Sequence, residues 1–322
     1  MAKLGSQRWD RFAICLNGPL SRELDMDQIS TNQDDSSALS SLNDVQLDVM
    51  ERKIATKYMQ IVPWGAVVWG LGNCLMFIAL FPLVLMDIMP LWIAFPIATL
   101  NCALAYLPSH EAQHNIIGGP GQRLRWLNEC VGHISPIPLV LPYRILRATH
   151  MVHHQHCNDP ELDPDYDVHA RSNIDFFVQY LKNIQPDGGR NNAYGSCLER
   201  LGRTDLMLDS AVSEGIYLTV LLAMAWSGHA IEAALLWWLP KLIAGAHLQY
   251  YLSWAPHRPG REQGRYRDTR AFKSQLGNIF SAGMQYHIIH HLYPRIPLSL
   301  TPAAYRELKP ILAQRGCELG NR

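Results

Sequence analysis

Long apolar segments alternate with polar ones along this chain. The first runs from Ile61 to Met86 without a charged residue, and the second, Ile88 to Pro108, follows directly after Asp87. As a helix, each is long enough to cross a hydrocarbon layer of about 30 Å. Because the link between them is so short, we predict that they form a helical hairpin in a membrane.

A second pair of apolar segments follows much later, Ala211 to Trp226 and Ala230 to Trp254, joined by a short turn. Their ionisable residues are few: Glu214, Glu232, Lys241 and His247. Lys241 follows Pro240 and is unexpected in a membrane span, so it indicates a kink, a re-entrant segment or a side chain that reaches the interface. The pattern leaves these three alternatives open.

The two hairpins predict an all-α integral membrane protein with four transmembrane helices. The predicted spans are residues 61–86, 88–109, 211–227 and 230–252. Residues 1–57 form a polar, partly flexible segment, residues 58–310 the membrane domain and residues 311–322 a C-terminal tail. The alternative of two helical hairpins buried in a soluble core is disfavoured, because soluble proteins rarely contain charge-free segments of this length.

The distribution of Lys and Arg predicts the orientation of these spans. Neither residue occurs in 58–122 or in 205–240, which contain the tips of both hairpins. Positively charged loops remain on the cytoplasmic side of a membrane. We therefore expect both termini and a helical cap, formed by residues 110–205 and 255–322, to be cytoplasmic.

Composition argues against a role in nucleic-acid binding. The formal net charge is zero, 48% of the residues are hydrophobic, and no stripe of Lys and Arg is present. The seven cysteines show no C-x-x-C pair, so we interpret them as single reduced thiols.

Histidine is the residue whose distribution suggests chemistry. There are fourteen, and many fall into three clusters with the patterns H-E-A-Q-H, H-M-V-H-H and H-I-I-H-H. Residues separated by three or four positions share one face of a helix, so each cluster presents its imidazoles together. All three clusters lie on the predicted cytoplasmic side. They supply eight candidate metal ligands: His110, His114, His150, His153, His154, His287, His290 and His291.

Eight neutral imidazoles match two metal ions better than one. Imidazole binds iron, zinc, copper and nickel, and a histidine-rich pair of iron ions can use oxygen to attack an unactivated C–H bond. The competing hypothesis is a membrane zinc protease, because His110-Glu111-x-x-His114 matches the H-E-x-x-H motif. That enzyme would need neither of the later clusters. A metal carrier is a third alternative, and it predicts ionisable residues along the middle of the spans.

Together these motifs resemble the membrane fatty-acid desaturase and hydroxylase superfamily, across residues 61–310. Two extended segments carry the resemblance in detail: R-A-T-H-M-V-H-H-Q-H-C-N-D-P-E-L-D-P-D, Arg147 to Asp165, and Q-Y-H-I-I-H-H-L-Y-P-R-I-P, Gln285 to Pro297. With W-x-x-P-H-R-P and G-R-Y-R-D-T-R between them, they are most similar to carotenoid β-ring hydroxylases and bacterial acyl-lipid desaturases.

The resemblance implies that the eight clustered histidines bind two iron ions. It also implies one further ligand near the end of the fourth span, for which we choose His257 first and His247 second. His156 is expected to be only a neighbour. Three carboxylates are expected either to accept the outer N–H of a ligating histidine or to shape Asp-Pro turns: Asp159, Asp163 and Asp165.

The resemblance further implies an oxidoreductase that uses O₂ and a lipid-like substrate, either a fatty-acyl chain or a carotenoid. We favour desaturation of an acyl chain, with β-ring hydroxylation of a carotenoid as the alternative. The chain contains no glycine-rich dinucleotide motif and no H-P-G-G haem motif. Electrons are therefore expected from a separate ferredoxin, rubredoxin or small haem protein.

Overall fold

The computed structural model describes residues 39, 41–166, 170–185, 189–258, 262–274, 277–281 and 283–320. Most of the predicted flexible N-terminal segment lies outside these residues. The chain divides into two units, Met1–Leu42 and Asn43–Arg322, and every feature below belongs to the second. Within the described residues the regular structure is entirely helical, as predicted.

Helix α1, Asp44–Met59, precedes the apolar region. Its N-terminus has a capping box, in which the Asn43 side chain accepts from the Gln46 backbone N–H and the Gln46 side chain accepts from the Asn43 N–H. Such a box satisfies two backbone donors that a helix otherwise leaves without partners. The end of the polar N-terminal segment is thus a capped helix.

Three helices are long and apolar enough to cross a membrane: Trp64–Leu85, Leu91–Gln113 and Thr204–Trp226. The first two are α2 and α3, and they pack against each other as the predicted hairpin. Asn73 and Asn101 link them by a buried hydrogen bond of 2.6 Å from the Asn101 amide to the Asn73 side-chain oxygen. This contact satisfies polar groups that would otherwise face hydrocarbon.

The fourth apolar segment is one continuous run of helical turns that contains two π-helical stretches, and we call it the composite helix. It consists of α9 Ala230–Ala233, π-helical Ala234–Trp238, α10 Leu239–Leu248, π-helical Gln249–Trp254 and α11 Ala255–His257. π-Helical turns are frequent at functional sites. The α10 segment packs closely against α3, which places the composite helix beside the first hairpin.

The remaining helices include the third apolar helix and the helices of the polar segments. In chain order they are α4 Arg125–Ile134, α5 Tyr143–His156, α6 Asn173–Asn183, α7 Gly189–Arg200, α8 Met207–Trp226, α12 Gly277–Phe280, α13 His287–Leu292 and α14 Thr301–Gln314. The helix α8 is the helical part of the third apolar segment. A core of Ile288, Ile289, Leu308 and Leu312 joins α13 to α14.

Candidate metal centre

Each histidine cluster occupies the end of a helix or a short helix. His110 lies in the last turn of α3 and His114 caps it, the second cluster forms the C-terminal half of α5, and the third forms α13. Asn115, with φ 58°, and Asn158, with φ 63°, come just after the first two clusters. Asparagine adopts this left-handed conformation more readily than most residues, so both helices end directly beyond their histidines.

The end of α3 is fastened to its neighbours through the backbone oxygen of Ala112. The Asn128 amide of α4 donates to this oxygen at 2.9 Å, and the Tyr143 hydroxyl of α5 donates to it at 3.0 Å. The last carbonyls of a helix have no partner within the helix, so these bonds satisfy one of them. They also hold the first two histidine clusters next to each other.

The third cluster is tied to the first through Glu111. One carboxylate oxygen of this buried residue accepts a hydrogen bond of 2.7 Å from the backbone N–H of Leu298, which lies shortly after α13. Glu111 is therefore not part of an exposed helix surface. Instead the carboxylate bonds to the backbone between the third cluster and α14.

These contacts bring the clustered histidines into two neighbouring sets that could each hold a metal ion. The first set is His110, His114, His150 and His290, and the second is His153, His257, His287 and His291. Within each set one nitrogen from every ring lies within 4.8 Å of the others. The second and third clusters each contribute to both sets, so neither set corresponds to a single sequence motif.

His154 lies between the two sets. Its Nε2 atom is 3.1 Å from Nε2 of His150 and 3.0 Å from Nε2 of His290, both in the first set. Its ring stacks on the ring of His291 in the second set, with 4.2 Å between the ring centroids. All eight clustered histidines are therefore gathered in one region of the fold.

The spacing of these nitrogens fits a shared metal ion. Nε2 of His150 is 2.9 Å from Nε2 of His114 and 3.1 Å from Nε2 of His154. A ring nitrogen has one hydrogen or one in-plane lone pair, so hydrogen bonding serves only one of these neighbours. Nitrogens about 2.1 Å from the same ion, at roughly right angles, stand about 3 Å apart. An ion thus satisfies contacts that hydrogen bonds alone do not.

The second set shows the same signs of a metal site. Nε2 of His257 and Nε2 of His287 are 3.1 Å apart, and the ring of His291 lies 5.0 Å from that of His257. Nε2 of His291 is buried and has no hydrogen-bond partner among the described residues. Because a buried polar atom is rarely left without a partner, this nitrogen is suited to a ligand.

Burial keeps most of these imidazoles neutral, which is the form that binds metal. Burial, with a smaller contribution from the neighbouring rings, lowers the pKa of five of them well below its usual value: His150, His154, His287, His290 and His291. His153 differs. Burial has the largest single effect and opposes its charge, but the carboxylates of Asp163, Asp165 and Asp268 together outweigh burial and raise the pKa of His153 to about 9.

Asp163 is the expected carboxylate that contacts a clustered histidine. Asp163 Oδ1 lies 2.9 Å from Nδ1 of His153. Asp165 accepts a hydrogen bond from the Tyr194 hydroxyl, and Asp159 accepts from the backbone N–H groups that follow it. Asp163 is therefore suited to orient a ring, whereas Asp159 shapes a turn.

The two candidates for a further ligand have different surroundings. His257 belongs to the second set, whereas the ring of His247 packs against Tyr251 and Phe280 at centroid distances of 4.9 and 5.3 Å. His156 is half-buried and belongs to neither set.

Two further contacts of the second set were not predicted. Nδ1 of His257 lies 3.2 Å from the backbone oxygen of Asp268 and 3.3 Å from the sulfur of Cys157. Asp268 lies in the G-R-Y-R-D-T-R motif, which carried part of the resemblance but received no role. A backbone acceptor leaves no side-chain signature, so the sequence offered no further signal for this contact.

A cavity of about 330 Å³ lies beside the first set. Its wall includes Tyr106, whose ring contacts the ring of His110 at a centroid distance of 5.6 Å. Four other lining residues follow one face of the composite helix: Lys241, Gly245, Leu248 and Leu252. The volume is at the lower end of the range usual for small-molecule sites.

The chain is similar to enzymes that modify fatty-acyl chains. The sequence model of the family described as fatty acid desaturase matches residues 86–320. A fatty acid conjugase of Calendula officinalis is 22% identical over 247 residues, 65% of this chain and 65% of that protein. An sn-1 oleoyl-lipid 12-desaturase of Synechocystis sp. is 35% identical over 63 residues, 20% of this chain and 17% of the relative.

A desaturase whose name includes the word ferredoxin is also similar over a short stretch. An sn-1 acyl-lipid omega-3 desaturase (ferredoxin) of Nostoc sp. is 29% identical over 80 residues, which are 23% of this chain and 21% of that protein. This chain therefore spans 65% of the length of the conjugase and smaller parts of the two desaturases.

Proposed function

Because this chain belongs to the fatty acid desaturase family, we propose that it uses O₂ to introduce a double bond into the acyl chain of a membrane lipid. The observation that carries the proposal is the convergence of all three histidine clusters into two adjoining, largely buried sets. The similar enzymes are named as desaturases and a conjugase. We therefore propose desaturation rather than hydroxylation of a carotenoid ring.

Two iron ions are the proposed cofactor. His110, His114, His150, His154 and His290 would hold one ion, and the second set, His153, His257, His287 and His291, would hold the other. Bound iron supplies the capacity to reduce oxygen and so to remove hydrogen from an unactivated C–H bond. The donor atoms are all nitrogen, and burial keeps most of these imidazoles neutral, which supports a transition metal of this kind.

The protein's own groups prepare this site. Asp163 accepts the Nδ1 proton of His153, which leaves Nε2 of the same ring available to a metal. The backbone oxygen of Asp268 does the same for His257. Burial of the histidines limits the access of water, and the cavity beside Tyr106 would hold a lipid chain near the first set.

The zinc-protease alternative receives less support. It requires Glu111 to act as a general base, but one of its oxygens accepts a hydrogen bond from Leu298 N–H. It also leaves His287, His290 and His291 without a role, although all three belong to the two sets. A site of eight clustered histidines is better explained by two ions than by one.

We further propose that the composite helix is a fourth membrane span and that the helices around the histidines form a cytoplasmic cap. Residues 58–310 would then constitute the membrane enzyme. The absence of Lys and Arg from both hairpin tips supports this orientation. A separate electron donor is proposed as well, and a ferredoxin is favoured because one similar desaturase carries that word in its name.

The test compares His290→Ala with His156→Ala, because His290 lies in the first set and His156 lies in neither. The unaltered protein is expected to contain two iron ions per chain and to produce a new double bond in the lipids of an expressing host. His290→Ala should lose iron and product while remaining in the membrane, and His156→Ala should retain both. Full activity of His290→Ala, or one zinc and no iron in the unaltered protein, would contradict the proposal.

A further inference from the structure

Lys241 is the only Lys or Arg between Arg203 and Arg258. Its side chain is 23% exposed and lines the cavity beside the metal centre. An ionisable group inside an apolar segment is costly, and such residues usually mark a functional site. The position of Lys241 within the cavity therefore needs an explanation that the metal centre does not supply.

The cavity extends along the composite helix between Lys241 and the metal centre. Lys241, Gly245, Leu248 and Leu252 line it at spacings of four, three and four residues, which keeps them on one face. The rise from Lys241 to Leu252 is about 15 Å. His257 of the second set follows shortly after Leu252, so Lys241 is at the end of the cavity remote from the histidines.

The remote end contains an ion pair. Nζ of Lys241 lies 3.3 Å from a carboxylate oxygen of Glu214, which also lines the cavity, and 4.4 Å from the centre of the Tyr217 ring. A lysine ammonium has three hydrogen-bond donors, and a carboxylate has several acceptor positions. The ion pair can therefore donate a hydrogen bond to a bound molecule and accept one from it at the same time.

The charges around the cavity disfavour an anionic group at this end. Among the described residues, the ion pair of Lys241 and Glu214 is at this end, and the other charged residue of the lining is Asp165, whose carboxylate accepts from Tyr194. The lining is thus not positively charged, and a carboxylate or phosphate would meet repulsion as well as attraction. A methyl group would be unfavourable for another reason, because it would desolvate the ion pair without replacing its contacts with water.

A hydroxyl group suits the Lys241–Glu214 ion pair better than an anionic group or a methyl group does. Its oxygen accepts from the Lys241 ammonium and its hydrogen is donated to the Glu214 carboxylate. On the basis of the proposed lipid oxidation, we propose that this cavity selects an uncharged lipid chain whose hydroxyl group binds between Lys241 and Glu214. The hydrocarbon between that hydroxyl and Tyr106 then extends toward the first set of histidines.

The test measures binding of tritiated hexadecanol to the protein as purified in detergent. Unlabelled hexadecane and hexadecanoate, which have the same chain length, serve as competitors. We expect hexadecanol to bind about tenfold more tightly than either, because one charge-assisted hydrogen bond has that effect on affinity. Equal affinity for hexadecane, or tighter binding of hexadecanoate, would overturn the inference.

A double variant identifies the residues responsible. Lys241→Met with Glu214→Gln removes both charges together, so neither is left unpaired. The tenfold preference for hexadecanol over hexadecane should disappear, because the hydrogen bonds to the hydroxyl are lost and no ion pair is left for a methyl group to desolvate. Glu232→Gln is the matched control, because Glu232 lies on the same composite helix and does not line the cavity. Unchanged hexadecanol binding by the double variant would overturn the inference.

Iron content and lipid products of the same preparations separate this inference from the proposed function. A protein with iron and a new double bond but no preference for hexadecanol would contradict the hydroxyl site alone. A protein that prefers hexadecanol but contains no iron would contradict the proposed function alone.

Discussion

Nδ1 of His153 and Oδ1 of Asp163 lie 2.9 Å apart, and both side chains are buried. Asp163 also accepts hydrogen bonds from the backbone N–H groups of Asn158 and Asp165, each at 2.9 Å. The carboxylate is thus held by the turn that follows α5. It orients a ring in the second set of histidines without belonging to that set.

Asp163→Asn is expected to lower iron affinity by about 10- to 100-fold, as is usual when the carboxylate behind a histidine ligand is lost. The amide is a weaker acceptor for the Nδ1 proton and no longer fixes the ring as firmly. Titration of purified protein with iron measures the effect. Asp159→Asn is the control, because Asp159 contacts only its own turn, and equal losses in the two variants would contradict the role of Asp163.

Glu111→Ala is expected to destabilise the protein by about 1–3 kcal/mol, because it leaves the Leu298 N–H without its acceptor. Glu111→Gln keeps an acceptor oxygen and should be milder. Iron content and lipid oxidation should persist in the glutamine variant, since Glu111 belongs to neither histidine set. Thermal unfolding and product analysis measure both effects, and an iron-loaded but inactive glutamine variant would show that Glu111 takes part in the chemistry.

Glu51 forms a buried link between α1 and the third histidine cluster. It accepts hydrogen bonds from the hydroxyls of Tyr293, at 2.6 Å, and Tyr266, at 3.0 Å, and forms an ion pair with Arg265. Burial and the nearby Glu51 carboxylate raise the pKa of Tyr293 above its usual range. Tyr293 directly follows α13, so this link supports the position of that short helix.

Glu51→Ala should therefore cost about 1–3 kcal/mol of unfolding free energy and should also lower iron retention. Glu307→Ala is the control, because Glu307 of α14 also bonds to α1, but at the surface, through Lys57 and Tyr58. Exposed ion pairs of this kind contribute about 1 kcal/mol or less to the free energy of unfolding. Denaturant unfolding and iron analysis compare the variants, and equal effects would contradict a special role for Glu51.

Gly132 of α4 is packed tightly against Tyr143. A Cβ atom at this position would lie 2.6 Å from the Tyr143 ring, whose hydroxyl bonds to Ala112 O beside the first cluster. Gly132→Ala should thus destabilise the protein by about 1–3 kcal/mol and reduce iron loading. At Gly72, which is also helical, a Cβ atom would meet no neighbouring atom, so Gly72→Ala should leave the stability of the protein unchanged or raise it. Thermal unfolding compares the two variants, and a similar shift in their unfolding temperatures would contradict the packing argument.

The sequence alone determined the helical class, three of the apolar helices and the helix-end positions of the histidine clusters. These features are local: a charge-free segment has the length of a span, and residues three or four apart share a helix face. The resemblance to the desaturase superfamily was carried by the same motifs, and the match over residues 86–320 confirms it.

Only the tertiary structure decided how the histidines are divided between the two sets. The second cluster contributes His150 to the first set and His153 to the second, although both lie on α5. Local spacing shows which side chains share a face, but not which distant ring each will meet. The turn that follows α5 decides that Asp163 rather than Asp159 contacts His153. Packing between segments distant in sequence decides that His257 rather than His247 joins a set.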